Sequence, residues 1–280
     1  MASVPVLYHA EEGYFSQLAR LALAEKGIDY KSHLISLATD EMHEAWFLRT
    51  VNPKGMVPAM EHHGKYYTDS SDIMVYVDTL PSDGPKLFPD DSSVMGDRVG
   101  HFSDLLGSIN VRVVSYGSIF HRHLTVDSQV SPLMTKEKVR ARIEGFGKNL
   151  AIVQEQNPDL KAGLSGRRGL YDEADTIFDE KRVIAVFEDV DRIFGEVEEE
   201  LQKRKAEFAG DDEYWLCGNT VTVADIHLSC FLHRLTFVGQ AQRFYLSKRP
   251  LMTDYYNRIL QRNSFRVACG DANSRFLKTK

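Results

Sequence analysis

The sequence is poor in cysteine, in uncompensated positive charge and in long apolar runs. Its three cysteines, Cys217, Cys230 and Cys269, share no CxxC or zinc-type spacing, which favours reduced structural thiols in a reducing compartment. A formal net charge of −6 argues against nucleic acid as the main partner. No run approaches the roughly 20 apolar residues of a membrane span, and the N-terminus lacks the pattern of a secretory signal. We therefore expect a soluble, intracellular protein without a membrane span.

The first 80 residues alternate strand and helix signals. "VPVLYH" is a short apolar run that predicts a buried first strand, and residues 15–26 have apolar side chains at helical spacing before Gly27. A second strand in "IDYKSHLISL", a polar helical segment, two short strands in "MVPAMEHHGKYYT" and a helix in "DSSDIMVYVDTL" follow. The turn between the two short strands is expected to expose His62 and His63. The order β-α-β-α-β-β-α predicts a small α/β domain with a mixed sheet over residues 1–80.

The pattern changes at residues 81–91, "PSDGPKLFPDD", which read as an interdomain linker because they are rich in proline and aspartate. Strand signals nearly vanish beyond it. Helical periodicity covers residues 92–119, 134–156, 181–208, 223–237 and 250–263. The second domain, 92–280, is therefore predicted to be all-helical, with a long polar segment at about 157–182 that is a lid, a flexible loop or an extension of long helices.

Two segments of the first domain could bind a ligand. In "NPKGMVPAM", a cis bond between Val57 and Pro58 would turn the polar backbone groups of Val57 outward, toward an extended peptide-like ligand. In "TDSSDI", Asp69 could accept from a ligand ammonium and Ser70 could donate to its carboxylate at a helix N-terminus. The structural alternatives are an edge-strand proline at Pro58 and simple helix capping by Ser70 or Ser71.

A third motif lies in the helical half. "TVTVADIHL" places Thr222 and Asp225 as a Thr-x-x-Asp capping box ahead of an apolar helix. The three motifs occur in the order proline-started strand, Asp-Ser helix start and buried capping box. Together they resemble the glutathione transferases, which join a thioredoxin-like domain with a mixed four-stranded sheet to a helical domain. This resemblance implies glutathione as co-substrate, bound by Lys54, Val57, Pro58, Asp69 and Ser70.

Longer stretches resemble the ganglioside-induced differentiation-associated protein branch of that superfamily. They include "WLCGNTVTVADIHL", "FLHRLTFVG" and "KRPLMTDYYNRILQRNSF", and the segment 157–182 matches an insertion of that branch. Its animal members are typically anchored to the mitochondrial outer membrane by a C-terminal apolar segment. The chain is accordingly expected in the cytoplasm, or at that membrane if an anchor is missing from the given sequence. Because most glutathione transferases form two-fold dimers, the resemblance to that superfamily also implies a homodimer, although the animal branch departs from the usual dimer interface.

The sequence leaves open which hydroxyl activates the glutathione thiol. Gly13 and Phe15 stand where relatives place a catalytic serine or cysteine, which disfavours a cysteine mechanism. Tyr14 and Ser16 are the candidate donors, Tyr8 resembles the tyrosine of other classes, and the fourth alternative is that no hydroxyl serves. A donor about 3 Å from the sulfur, aided by a helix N-terminus, would favour the thiolate.

The electrophile is expected to lie against the helices that follow the linker. His101, Tyr116, Phe120, His121 and Arg122 are candidate substrate contacts by their position in the chain, and "HRH" at 121–123 lacks partners at metal-ligand spacing. The sequence thus predicts a metal-free enzyme that conjugates glutathione to an apolar electrophile. The alternative is a non-enzymatic sensor or scaffold, at mitochondria, that binds a hydrophobic ligand or partner protein.

Overall fold

Four short strands form a mixed sheet in the first third of the chain. The computed structural model describes residues 3–90, 92–127, 135–164, 170–209 and 213–270. The strands are β1 Val6–His9, β2 Lys31–Leu34, β3 Ala59–His62 and β4 Lys65–Tyr67. Their order is β2-β1-β3-β4, with β1 parallel to β2 and antiparallel to β3, and β3 antiparallel to β4. The mixed four-stranded sheet predicted from the sequence is confirmed.

Three helices accompany this sheet: α1 Tyr14–Glu25, α2 Ala45–Thr50 and α3 Ser70–Thr79. The apolar face of α1, with Leu18 and Leu21, belongs to the same buried cluster as Ile73 and Val77 of α3. Helix α1 ends where Gly27 adopts a left-handed conformation with φ of 63°, which a residue without Cβ adopts at little cost.

The rest of the described chain is helical. Its helices are α4 Val94–Gly107, α5 Val111–Phe120, α6 Lys136–Gln156, α7 Lys161–Leu164, α8 Ala174–Phe178, α9 Glu180–Glu207, α10 Val223–Phe237, α11 Pro250–Gln261 and α12 Asn263–Phe265. The predicted helix 92–119 is divided into α4 and α5, because Asn110 caps a new helix by accepting a hydrogen bond from the N–H of Val113 at 3.1 Å. A mixed sheet followed by helices is the predicted fold class.

Helix α10 is the buried centre of the helical half. The capping box is present as predicted: Asp225 accepts from the backbone N–H and the hydroxyl of Thr222 at 2.9 and 2.8 Å. It also accepts from the N–H of Leu216 at 2.8 Å and the hydroxyl of Tyr255 at 2.9 Å. These four bonds tie α10 to the preceding loop and to α11, so the capping box fixes α10 within the main buried cluster.

The segment between α6 and α8 contacts the first domain. A small cluster joins Leu48 of α2 to Leu160 and Leu164, and Arg49 forms an ion pair with Asp159 at 3.0 Å. Part of the predicted insertion is thus folded into helical turns and packed on α2. Residues 165–169 of the insertion, and the chain end 271–280, lie outside the described residues.

One sequence expectation was wrong. The hairpin "HHG" predicts two exposed histidines, but the structure buries the His62 side chain. Its ring bonds to the Tyr76 hydroxyl at 2.9 Å and to the Ser3 carbonyl at 2.8 Å. His62 is the last residue of β3 and points inward, whereas His63 forms the turn with a positive φ of 54°. The alternation of a strand, rather than the turn, decides the burial of His62.

Candidate functional site

The loop Ala10–Gly13 connects β1 to α1, and the buried side chain of Ser16 holds it by a hydrogen bond. The Ser16 hydroxyl oxygen accepts a hydrogen bond from the backbone N–H of Ala10 at 3.2 Å, and the side chain is fully buried. The N–H of Gly13 donates to the carbonyl of Ala10 at 3.1 Å, which closes the turn. A methyl group at position 13 would lie 3.1 Å from the Ser16 oxygen, so the small residue allows this close packing.

Two arginines hold the carbonyl groups of the same loop. Arg20 of α1 donates to the carbonyl of Glu11 at 2.6 Å, and Arg234 of α10 donates to the carbonyl of Glu12 at 2.6 Å. The second bond crosses from the helical half to the first domain. The loop is therefore positioned by both halves of the molecule, which fixes the first turn of α1.

The candidate thiol activators lie at different places around this turn. Tyr14 opens α1 and is 8% exposed, with its ring edge-to-face against Phe15 and Phe231. Burial raises the pKa of the Tyr14 phenol, so this group is a neutral donor at physiological pH. Tyr8 packs instead beside Phe47, in the separate cluster under α2.

Asn52 joins the two segments predicted to bind glutathione. Its side-chain amide donates to the carbonyl of Met56 at 2.9 Å and to the carbonyl of Thr68 at 3.3 Å, and its oxygen accepts from the N–H of Lys54 at 2.9 Å. The Asn52 side chain is fully buried. One amide therefore sets the loop before β3 next to the start of α3.

The residues on these two segments differ in exposure. The Val57–Pro58 peptide bond is cis, with Val57 half-buried and Pro58 buried. Asp69 is exposed and caps α3 by accepting from the N–H of Ser71 at 2.9 Å. Ser70, the first residue of α3, is 5% exposed, and its hydroxyl forms no hydrogen bond to another described residue.

Lys54 completes the set predicted to bind glutathione. Its side chain is exposed, and its backbone N–H is held by Asn52. Because the lysine amine is free to move on a flexible stem, the structure fixes the base of this side chain and leaves its charge in solvent.

A cavity of about 240 Å³ opens at the first turn of α1, between the sheet domain and the helices. Its lining combines loop residues of the first domain with apolar and basic residues of the helices. The lining residues are Glu12, Gly13, Tyr14, Phe15, Leu37, Asp40, Met42, Gly55, Met56, Val57, Val111, Arg112, Ser115, Tyr116, Ile119, Arg142, Phe146, Arg234, Phe237 and Val238. The cavity therefore joins the loop before β3 to the N-terminus of α1.

The predicted site residues divide around this cavity. Tyr14, Val57 and Tyr116 line it, while Lys54, Asp69 and Ser70 lie on the two segments that Asn52 connects. Ser16 lies beneath the loop at its edge. The structure thus brings the predicted glutathione segments and the first turn of α1 together at one opening.

The other candidate substrate contacts lie elsewhere. His101 is on α4, 3.7 Å from Glu196. Phe120 is buried against Phe178, and Arg122 is exposed on the turn after α5. Helix α5 lines the cavity from its first turn to its last, with Arg112, Tyr116 and Ile119, whereas Phe120 lies outside the lining. Position along the chain therefore does not tell which side chains of α5 reach the cavity.

Sequence reasoning missed the contributions of α6 and α10. Arg142 and Phe146 reach the cavity from α6, and Arg234 and Phe237 reach it from α10. Helix α6 is held over the first domain because Asn149 donates to Asp40 at 3.1 Å and Phe146 packs edge-to-face on His43. The spacing of four between Arg142 and Phe146 puts both on one helix face, but the sequence does not say what that face meets.

No group of three or more His, Cys, Asp or Glu side chains in the described ranges is arranged to hold a metal ion. Within the same ranges, the structure contains no helix that combines the length and the apolar character of a membrane span.

Comparison with known proteins identifies the family. Residues 14–80 match the family model described as glutathione S-transferase, N-terminal domain, and residues 171–263 match glutathione S-transferase, C-terminal domain. Over 277 residues, the chain is 30% identical to human (Homo sapiens) ganglioside-induced differentiation-associated protein 1-like 1, covering 97% of this chain and 75% of that protein. The chain therefore belongs to the glutathione S-transferase family, in the branch of ganglioside-induced differentiation-associated proteins.

Solved structures show the same fold. The β-etherase LigF of Sphingobium sp. strain SYK-6 superposes with a TM-score of 0.68 at 21% identity, over 96% of this chain and 99% of that chain. Ure2p in complex with glutathione superposes with a TM-score of 0.63 at 16% identity, over 96% and 99% of the two chains. At these sequence identities the similarity shows a shared fold only, so the chemistry must be argued from the residues of the site.

Proposed function

We propose that this protein binds glutathione across the loop before β3 and the start of α3, and conjugates its thiol to an apolar electrophile in the cavity. One observation carries the proposal: a single opening joins Val57, the first turn of α1 and an apolar wall that includes Tyr116. The family relationship and the glutathione complex of Ure2p support it.

The two ends of glutathione suit two parts of this surface. Its γ-glutamyl end carries an ammonium and a carboxylate, for which Asp69 offers a carboxylate and Ser70 a hydroxyl at the N-terminus of α3. The backbone N–H and C=O of Val57, beside the cis bond to Pro58, can pair with the peptide part. The Lys54 amine supplies a cation for the glycine carboxylate.

The thiol would then lie at the N-terminus of α1. Helix α1 has 12 residues, and its free N–H groups and dipole stabilise an anion there. The hydroxyls of Tyr14 and Ser16 are the alternative donors. Both are buried, and Ser16 accepts from Ala10 while its own proton remains to be donated.

Turnover of 1-chloro-2,4-dinitrobenzene with glutathione tests this assignment. A hydroxyl that stabilises the thiolate in the transition state is worth about 10²-fold in kcat, so either Tyr14→Phe or Ser16→Ala should lose that much. Loss in neither variant, with wild-type turnover present, leaves the helix N-terminus as the stabiliser. The absence of turnover in the wild type would contradict the enzymatic proposal.

The burial of both hydroxyls favours one second candidate function. A member that binds a hydrophobic ligand or partner protein in the same cavity, without catalysis, needs neither Tyr14 nor Ser16 at the sulfur. Saturable ligand binding with no glutathione-dependent thermal shift would support this sensor or scaffold role. The homodimer and the location of the protein in the cytoplasm or at mitochondria stay predictions of the family resemblance.

A further inference from the structure

Three arginines face the cavity from three different helices. Arg112 lies on α5, Arg142 on α6 and Arg234 on α10. The cavity is otherwise largely apolar, and its two acidic residues are Glu12 and Asp40. Bringing three cations to one partly enclosed apolar space is costly unless each gains a partner.

Arg234 has such a partner within the protein. It donates to the carbonyl of Glu12 at 2.6 Å and lies over the ring of Phe237 at 5.3 Å. Burial lowers the pKa of the Arg234 guanidinium, and the neighbouring Glu12 charge opposes that shift. The role of Arg234 is therefore to position the loop before α1.

Arg112 and Arg142 are different. Both are half-buried, and neither forms an ion pair with a carboxylate of the described chain. Arg112 lies over the ring of Phe15 at 5.2 Å, which leaves the edge of its guanidinium free for hydrogen bonds. Asp40, one of the two acids in the lining, accepts a hydrogen bond from the side chain of Asn149 of α6 at 3.1 Å.

The neighbouring arginine on α6 shows the contrast. Arg140 pairs with Glu144 at 3.3 Å on the solvent side and stacks on Phe178 at 4.9 Å. Arg142, two positions further on, lies on a different face of the helix, lines the cavity and forms no ion pair with a carboxylate of the described residues. A guanidinium in such a place is suited to a carboxylate or sulfonate of a ligand, which it can bind with charge-assisted hydrogen bonds.

We infer that the second ligand of this cavity has an apolar body and an anionic group, which Arg112 and Arg142 receive together. The apolar body contacts side chains such as Ile119, Phe146 and Val238. This inference deepens the proposed function by naming the chemical class of its second substrate. Only the assignment of the bound molecule as a substrate rests on the proposed function. The binding preference itself requires no glutathione.

A pair of fluorescent probes tests the preference directly. 8-Anilinonaphthalene-1-sulfonate and N-phenyl-1-naphthylamine share the same ring systems, and only the first carries a sulfonate. We expect the wild-type protein to bind the sulfonate about tenfold more tightly than the neutral probe. Arg112→Gln and Arg142→Gln should each remove about tenfold of that affinity, about 1.4 kcal/mol, and change the neutral probe less than about twofold.

The matched control is Arg122→Gln. Arg122 is exposed on the turn after α5 and lies outside the cavity lining, so the variant loses the same charge without touching the site. It should bind both probes like the wild type. Thermal unfolding of all three variants shows whether the fold is kept.

Several outcomes would overturn the inference. They are equal binding of the two probes by the wild type, an equal loss for both probes in the cavity variants, and an equal loss of sulfonate affinity in Arg122→Gln. A fourth is weaker glutathione binding, with unchanged sulfonate binding, in the cavity variants, since Arg112 and Arg142 would then serve glutathione itself. If the protein fails to bind glutathione but discriminates between the probes, the proposed function fails while this inference stands.

Discussion

Replacing Asn52 by alanine should weaken both the fold and glutathione binding. The side chain is fully buried and makes three hydrogen bonds, to the carbonyls of Met56 and Thr68 and from the N–H of Lys54. A buried hydrogen bond contributes about 1 kcal/mol net, so the free energy of unfolding should fall by about 3 kcal/mol. For a protein of this size, that corresponds to a decrease in Tm of roughly 6 to 12 °C.

The effect on binding follows from which segments the amide connects. Without Asn52, the loop carrying Val57 and the start of α3 carrying Asp69 lose their common support. We expect the affinity for glutathione to fall about tenfold or more, because misplaced groups lose the benefit of preorganisation.

Urea unfolding and calorimetric titration with glutathione measure the two effects. Asn257→Ala is the matched control, since Asn257 is exposed on α11 and away from the cavity lining; it should change neither quantity. If Asn52→Ala loses less than about 1 kcal/mol and binds glutathione like the wild type, Asn52 does not organise the site.

Three further predictions concern buried ionisable groups. Burial lowers the pKa of His9, His227 and His233 to about 4 in the folded protein, against 6.5 in the unfolded chain. The free energy of unfolding should therefore be constant above pH 6.5 and fall below that pH, by about 2 kcal/mol per histidine at pH 5. Equal urea midpoints at pH 8 and pH 5 would refute this prediction. Asp78 is buried and accepts hydrogen bonds from Lys26, Lys86 and the N–H groups of Leu87 and Phe88, which hold the linker against α3. Asp78→Ala should therefore make the linker sensitive to limited proteolysis. Unchanged cleavage would show that Asp78 does not hold the linker in place. Asp225→Ala removes the acceptor of four buried hydrogen bonds, so a loss below about 2 kcal/mol in urea unfolding would show that the capping box is not central.

The sequence predicted the parts of the fold that depend on local pattern. The strands, the Gly27 helix end and the Thr222–Asp225 capping box follow from short-range rules of alternation, left-handed glycine and reciprocal hydrogen bonding. The structure contains each of them where expected. The capping box was also a specific family mark, because it requires two residue types at a fixed spacing before an apolar helix.

The site residues could be predicted only where they lie in a recognisable sequence motif. Val57, Asp69 and Ser70 stand in segments whose sequence indicates an unusual backbone or a helix start. Asn52 lies in the same quoted segment, but its role depends on Thr68, which is distant in sequence and close only after folding. Local rules cannot supply such a contact.

The helical wall of the cavity shows the same limit more clearly. Arg112, Arg142 and Phe146 come from helices whose relative placement depends on tertiary packing. Periodicity tells which residues share a helix face, but not which face lines a cavity. The predicted contacts therefore included Tyr116, which lines the cavity, and also Phe120 and Arg122, which do not, while Arg112 was missed.

The central claim is that glutathione binds at the start of α3, and a calorimetric titration of Ser70→Ala beside Ser71→Ala tests it most directly. Ser70 is buried at the helix start and its hydroxyl forms no hydrogen bond to any other residue that the structure describes, whereas Ser71 is its exposed neighbour. We expect wild type and Ser71→Ala to bind one glutathione per chain with equal affinity, and Ser70→Ala to bind about tenfold more weakly, since a hydrogen bond to a charged group contributes about 1.5 to 3 kcal/mol. Equal binding by all three proteins, or no saturable heat with the wild type, would contradict the account.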